Sequence, residues 1–73
     1  MKLPTVSGRD VIKALKKIGF EVVRTKSSHV KLRKNYRIVI VPLHDELSKG
    51  TLLSIIRQAG ITKEHLIKLL EDP

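Results

Sequence analysis

The sequence predicts an α+β two-layer sandwich: a three-stranded antiparallel meander with helices on one face, in the order α-β-β-β-α-α. Three observations lead there. Apolar residues recur at helical spacing near both ends of the chain. Between them lie three runs rich in β-branched or alternating residues, FEVVRT (20–25), SHVKLRK (28–34) and YRIVIV (36–41). The links between those runs, Lys26-Ser27 and Lys34-Asn35, are two residues each, and links so short demand antiparallel hairpins.

The first helix starts at Ser7. Its hydroxyl can cap the first turn, and Asp10, three residues on, can bond back in a capping box. Val11, Ile12, Leu15 and Ile18 then share a face, with Lys13, Lys16 and Lys17 turned away. Gly19 suits the left-handed position past the helix end. SHVKLRK alternates cleanly, with Ser28, Val30 and Leu32 on one side and His29, Lys31 and Arg33 on the other. The near-continuous apolarity of YRIVIV suggests the central or best-covered strand. Past Pro42 the polar segment LHDELSKG leads into a helix over 49–59 that buries Leu52, Leu53, Ile55, Ile56 and Ala59 and ends at Gly60. Thr62 caps a last helix running to Leu70, with Glu64 in its first turn and Leu66, Ile67, Leu69 and Leu70 on its sticky face.

Seventy-three residues make one domain, and a chain this short buries only about 60% of its unfolded surface, so its stability margin is thin. With no cysteine, neither a disulfide nor a thiolate metal site can reinforce it. MKLPTVSGRD lacks an apolar signal core, and the longest apolar run, IVIVPL (38–43), is too short to cross a bilayer, so the expected location is the cytoplasm, with no membrane partner.

Fifteen lysines and arginines against seven acids give a net charge of +8, which favours an anionic partner, nucleic acid first. A cationic surface kept only for solubility is the bland alternative. Between residues 24 and 37 stand Arg24, Lys26, Lys31, Arg33, Lys34 and Arg37, with no acid among them. Because Val30 and Leu32 must face the helices, His29, Lys31 and Arg33 take the opposite face of the sheet, and a one-residue slip would put three polar groups into the core. With only Phe20 and Tyr36 as aromatics, contacts to RNA are expected mainly at the backbone, and binding should weaken steeply with salt.

His29 is the best candidate for chemistry. RNA can be cleaved without metal by attack of a 2′-hydroxyl on the adjacent phosphorus, given a group that moves a proton near neutrality and cations to offset the phosphorane's charge. Imidazole, with an unperturbed pKa of about 6.5, suits the first need, and Lys26, Lys31 and Arg33 the second. Ser27 and Ser28 can hydrogen-bond a phosphate, although serines before a strand more often just make the turn. A histidine on an exposed strand face is also commonly no more than solvated. His44, in PLHDE, has Asp45 and Glu46 beside it, but neighbouring side chains diverge and no further ligand stands at a chelating spacing, so no metal or other cofactor is expected. His65 reads as solvated. No Gly-x-Ser-x-Gly elbow and no glycine-rich phosphate loop occurs.

Three stretches together resemble a known family. SGRDVIKALKKIGFEVVRTKSSHVKLRK, IVIVPLHDELSKGTL and LSIIRQAGITKEHLIKLL look, in this order, like the HicA (YcfA-like) toxins of bacterial and archaeal toxin–antitoxin pairs, which are small mRNA interferases. The resemblance implies a double-stranded-RNA-binding-domain-like fold, endoribonuclease activity with His29 as the catalytic residue, and a HicB antitoxin as partner. On the charge pattern and the turn residues, Lys26, Ser27, Ser28, Lys31, Arg33, Lys34 and Arg37 are the expected RNA-binding residues; the resemblance adds His44 as a candidate contact. One departure stands out: the family's usual Gly-Ser-His is here Ser27-Ser28-His29, and a left-handed backbone would cost serine about 1 kcal/mol relative to glycine. The helix that carries a lysine cluster in double-stranded-RNA-binding domains offers only Lys49 and Arg57 here. A non-catalytic RNA-binding module, or a domain whose basic surface meets an acidic protein, remains open on the residues alone.

Overall fold

Serine at position 7 does what its place before an apolar-periodic run suggests. Its Oγ accepts a hydrogen bond from the Asp10 backbone N–H at 3.2 Å, and its own N–H donates to Asp10 Oδ2 at 3.3 Å, closing a capping box. A computed structural model describes residues 3–71. In it the elements run α1 (Gly8–Lys16), β1 (Glu21–Lys26), β2 (His29–Lys34), β3 (Arg37–Pro42), α2 (Lys49–Ala59) and α3 (Lys63–Glu71). That is an α+β fold with the expected element order.

The strands form one antiparallel sheet in the order β1-β2-β3. The turns fall one residue later than the sequence suggests, at Ser27-Ser28 and Asn35-Tyr36, and the first residue of each has a positive φ, 55° at Ser27 and 57° at Asn35. α1 also ends earlier than expected. After Lys16 the chain tightens into bonds of the three-residue type, Lys17 N–H to Ala14 O, Ile18 N–H to Leu15 O and Gly19 N–H to Lys16 O, each 3.1 Å. Gly19, at φ 100°, then turns the chain into the sheet.

The helices cover one face. Val30 and Leu32 of β2 and Val39 and Val41 of β3 are buried against Val11, Ala14 and Leu15 of α1, and against Leu52, Ile55, Ile56 and Ala59 of α2. Phe20, Leu47 and Leu66 complete the core, and among the described residues no polar or charged side chain is buried in it. Leu66 is the one residue of α3's sticky face that is fully buried; Leu69 and Leu70 pack against the core at its margin. The meander makes β2, not β3, the central strand, although β3 has the better helix cover. β1 lies at the edge, with all six residues exposed.

The outer edge of β3 is closed by α2. The Ile40 N–H, which no strand can receive, donates to Gln58 Oε1 at 2.9 Å, and Gln58 Nε2 in turn donates to Ser54 Oγ at 3.0 Å. A side-chain amide thus occupies the backbone edge that would otherwise invite another strand.

Gly8 is where α1 docks. Its N–H donates to the His44 carbonyl at 2.9 Å, and its Cα faces the Pro42 carbonyl so closely that a methyl group would overlap the oxygen. Gly8→Ala should therefore cost about 1–3 kcal/mol through overpacking. Gly50→Ala, in the first turn of α2 with nothing near the site of the new methyl, should instead stabilise by about 0.5–1 kcal/mol. Thermal melts of the two variants should move in opposite directions; shifts of the same sign would contradict the Gly8 docking.

Candidate functional site

Strand pairing decides which side chains can meet. Across the sheet, Lys26 pairs with His29 and His29 with Pro42; Arg24 pairs with Lys31 and Lys31 with Ile40; Glu21 pairs with Arg33 and Arg33 with Ile38. These rows lie on the face away from α1 and α2, because the intervening Leu32 of β2 and Val39 of β3 are buried in the core, with Val22 paired to Leu32 on the same side.

Arg24 and Lys26 reach this face only because β1 is irregular. Strict alternation from Val22, which shares its side with buried Leu32, would send Arg24 and Lys26 toward the helix side. The register shifts between Val22 and Arg24, so Val23 is an extra residue and the parity reverses after it. The bulge is what brings two further cations beside His29. Nothing in FEVVRT announces it, since a bulge inserts no special residue type.

His29, Arg24, Lys26, Ser27, Lys31 and Ile40 line one shallow cleft on the open face. Its ionisable members besides the imidazole are all cationic, and the imidazole itself is exposed. An anion approaching the cleft would meet three positive side chains around a single imidazole. Among the described residues no group of three or more His, Asp or Glu side chains comes together at metal-binding range.

The other residues expected at the site are spread out. Arg33 and Lys34 border a separate concavity with Gly19, Glu21 and Asn35, and Glu21 stands across from Arg33 in the sheet, an acid the local run of basic residues did not reveal. Arg37 is turned toward the C-terminal end of α2, where its Nη1 donates to the Gln58 carbonyl at 3.4 Å and its guanidinium lies against Gly60. There it complements the negative end of the helix dipole. Ser28 sits in the turn, and its carbonyl accepts a hydrogen bond from the Leu43 N–H at 2.7 Å, tying the hairpin to the segment after β3. His44 has an exposed side chain outside the cleft, and its carbonyl holds Gly8. His65 is exposed at the start of α3, its N–H donating to Thr62 Oγ1 at 3.0 Å. Two positions that sequence reasoning did not single out shape the cleft: Ile40, which forms part of its lining, and Gln58, which fixes Ile40's backbone.

A family model described as the HicA toxin of bacterial toxin–antitoxin systems matches residues 8–61, most of the chain and all of α1, the sheet and α2. The chain belongs to the HicA toxin family. No curated protein is significantly similar to it. As a HicA toxin it is one member of a pair whose other member is an antitoxin. Among the described residues no helix is long and apolar enough to cross a membrane.

In this HicA chain the residue two before the histidine, Ser27, has φ 55°, a backbone that suits glycine better than serine. Ser27→Gly should relieve that strain and raise stability by about 1 kcal/mol, equivalent to roughly 4–8 °C in melting temperature for a domain of this size. An unchanged or lower melting temperature would mean that the serine hydroxyl contributes more to the turn than the backbone strain removes.

Proposed function

We propose that this HicA toxin is a metal-independent endoribonuclease, an mRNA interferase, with His29 as its general acid/base and the open sheet face holding RNA phosphates. The observation that carries the reading is the convergence of Arg24, Lys26 and Lys31 on one exposed histidine. The substrate's own 2′-hydroxyl is the nucleophile. His29 takes its proton while the 2′-oxygen bonds to phosphorus, the bond to the 5′-oxygen breaks to leave a 2′,3′-cyclic phosphate, and the departing 5′-oxygen takes a proton from water. The lysine and arginine side chains offset the extra negative charge on the phosphorane, where it matters most. Ser27 adds a hydrogen-bond donor at the mouth of the cleft. Ser28, Arg33, Lys34 and Arg37 lie outside it and would serve only as flanking contacts to the chain, with His44 as a further candidate contact.

The antitoxin is proposed to be HicB-like and to neutralise the toxin by covering this face. The setting in which mRNA and antitoxin would both be met is the cytoplasm. Residues 1–73 are read as one domain, of which positions 1, 2, 72 and 73 lie outside the described residues.

The decisive comparison is wild type against His29→Ala on single-stranded RNA with EDTA present. Cleavage should fall by at least about 100-fold, in line with loss of a general acid/base, while binding persists. Equal cleavage by the two proteins would remove His29 from the chemistry; binding without cleavage by either would leave a non-catalytic RNA-binding module. Separately, Lys31→Ala should reduce the slope of log K against log salt by about 0.7, one phosphate contact to a single strand. An unchanged slope would place the phosphates elsewhere.

A further inference from the structure

β3 carries an unusual outer face for a strand of so basic a protein. On the side away from the helices Ile38 and Ile40 are 37% and 39% exposed, and Tyr36, in the turn just before the strand, is 91% exposed. Next to them on β2 stand Arg33 and Lys31, their cross-strand partners, with His29 at the end. Ile38 and Ile40 therefore run beside Arg33 and Lys31 on the open face, about 7 Å of strand at the usual rise, and Tyr36 stands beyond them at the end of the sheet. Neighbouring apolar side chains on an open sheet face, rimmed by charged ones, form the kind of surface that a partner can cover. At the end of the sheet, where the helix layer begins, Tyr36 borders a concavity with Lys34, Arg37 and His65 that is also lined by Phe20 and Ile61 and whose described lining holds no acid.

A single-stranded nucleic acid has the matching cross-section, apolar base faces on one side and phosphates on the other. A duplex does not, since its bases are stacked away from any flat surface. We propose that the open face takes single-stranded RNA in one orientation, phosphates along β2 and bases along β3, and that the strand runs over the end of the sheet opposite His29, where one base stacks on Tyr36. The inference rests on the RNA reading above and adds to it the direction of the strand across the sheet and a base-binding subsite remote from the cleaved bond. Arg37 retains free donors beside Tyr36 after its bond to the Gln58 carbonyl, because a guanidinium carries five N–H groups. Ile40 lies at the junction, lining the His29 cleft and heading the apolar row.

The chain offers its own probe, for it has one tyrosine and no tryptophan, so its near-ultraviolet fluorescence reports Tyr36 alone. The wild-type protein is titrated with a short, end-labelled 2′-O-methyl oligoribonucleotide, which cannot be cleaved by 2′-hydroxyl attack. Label anisotropy and tyrosine emission are read together. Anisotropy should rise, tyrosine emission should be quenched at the same midpoint, and the same oligomer annealed into a duplex should bind far more weakly. Tyr36→Ala should weaken binding by about tenfold and Tyr36→Phe by less than about twofold, as expected for one stacked base. Binding with unaltered tyrosine emission, or duplex bound as tightly as single strand, would overturn the proposed orientation and leave the ribonuclease reading standing. No rise in anisotropy would overturn both. Tyrosine emission that responds to the antitoxin but not to RNA would make this end of the sheet a protein interface and defeat the proposal.

Discussion

The alternation of β2 is the constraint on which the rest of the molecule depends. Val30 and Leu32 are essentially inaccessible to water, and His29, Lys31 and Arg33 stand between and beside them on the other side. Slipping the strand by one residue would bury two full charges and an imidazole among leucine and valine side chains. Several kcal/mol for each uncompensated ion is comparable with the whole stability of a small domain, about 5–15 kcal/mol. One register is therefore permitted. It fixes the core, and in the same stroke it fixes which side chains an external molecule can touch.

Two other devices refine what β2 sets up. The bulge at Val23 reverses the parity of β1 so that Arg24 and Lys26 join Lys31 and His29, turning a row of alternating charge into a local cluster. Gln58 holds the Ile40 backbone from α2 and closes the β3 edge. The cationic cleft spans the sheet from β1 to Ile40 and depends on the bulge, while the apolar row follows from the alternation of β3.

Much of this was legible in the sequence, and the limits have physical causes. Ser7 and Asp10 announce the first helix because capping chemistry is local, and SHVKLRK announces its own orientation because a period of two admits one reading. The HicA resemblance, read from three ordered stretches, agrees with the family match over 8–61. The position of Ser27 with positive φ was foreseeable as a strain from its place in the motif. What escaped was non-local. The bulge, the placement of Glu21 across from Arg33, and the turning of Arg37 toward Gly60 depend on pairing and packing between segments far apart in the chain. The apolarity of YRIVIV suggested the central or best-covered strand; it marks the best-covered one, an edge strand with one helix-covered face and one exposed face. Charge counted along the chain therefore overstates the uniformity of the basic face, which is concentrated at the His29 end.

Because the chain has no cysteine, each face of β2 can be marked singly. The most direct measurement is the rate at which a charged thiol reagent modifies cysteine placed at 30, 31, 32 or 33, with and without an uncleavable RNA. Cysteines at 31 and 33 should react rapidly and be shielded by RNA, while those at 30 and 32 should resist until the protein unfolds. Rapid modification at 30 and 32, or RNA that shields neither 31 nor 33, would contradict the assignment of the exposed face as the one that meets the substrate.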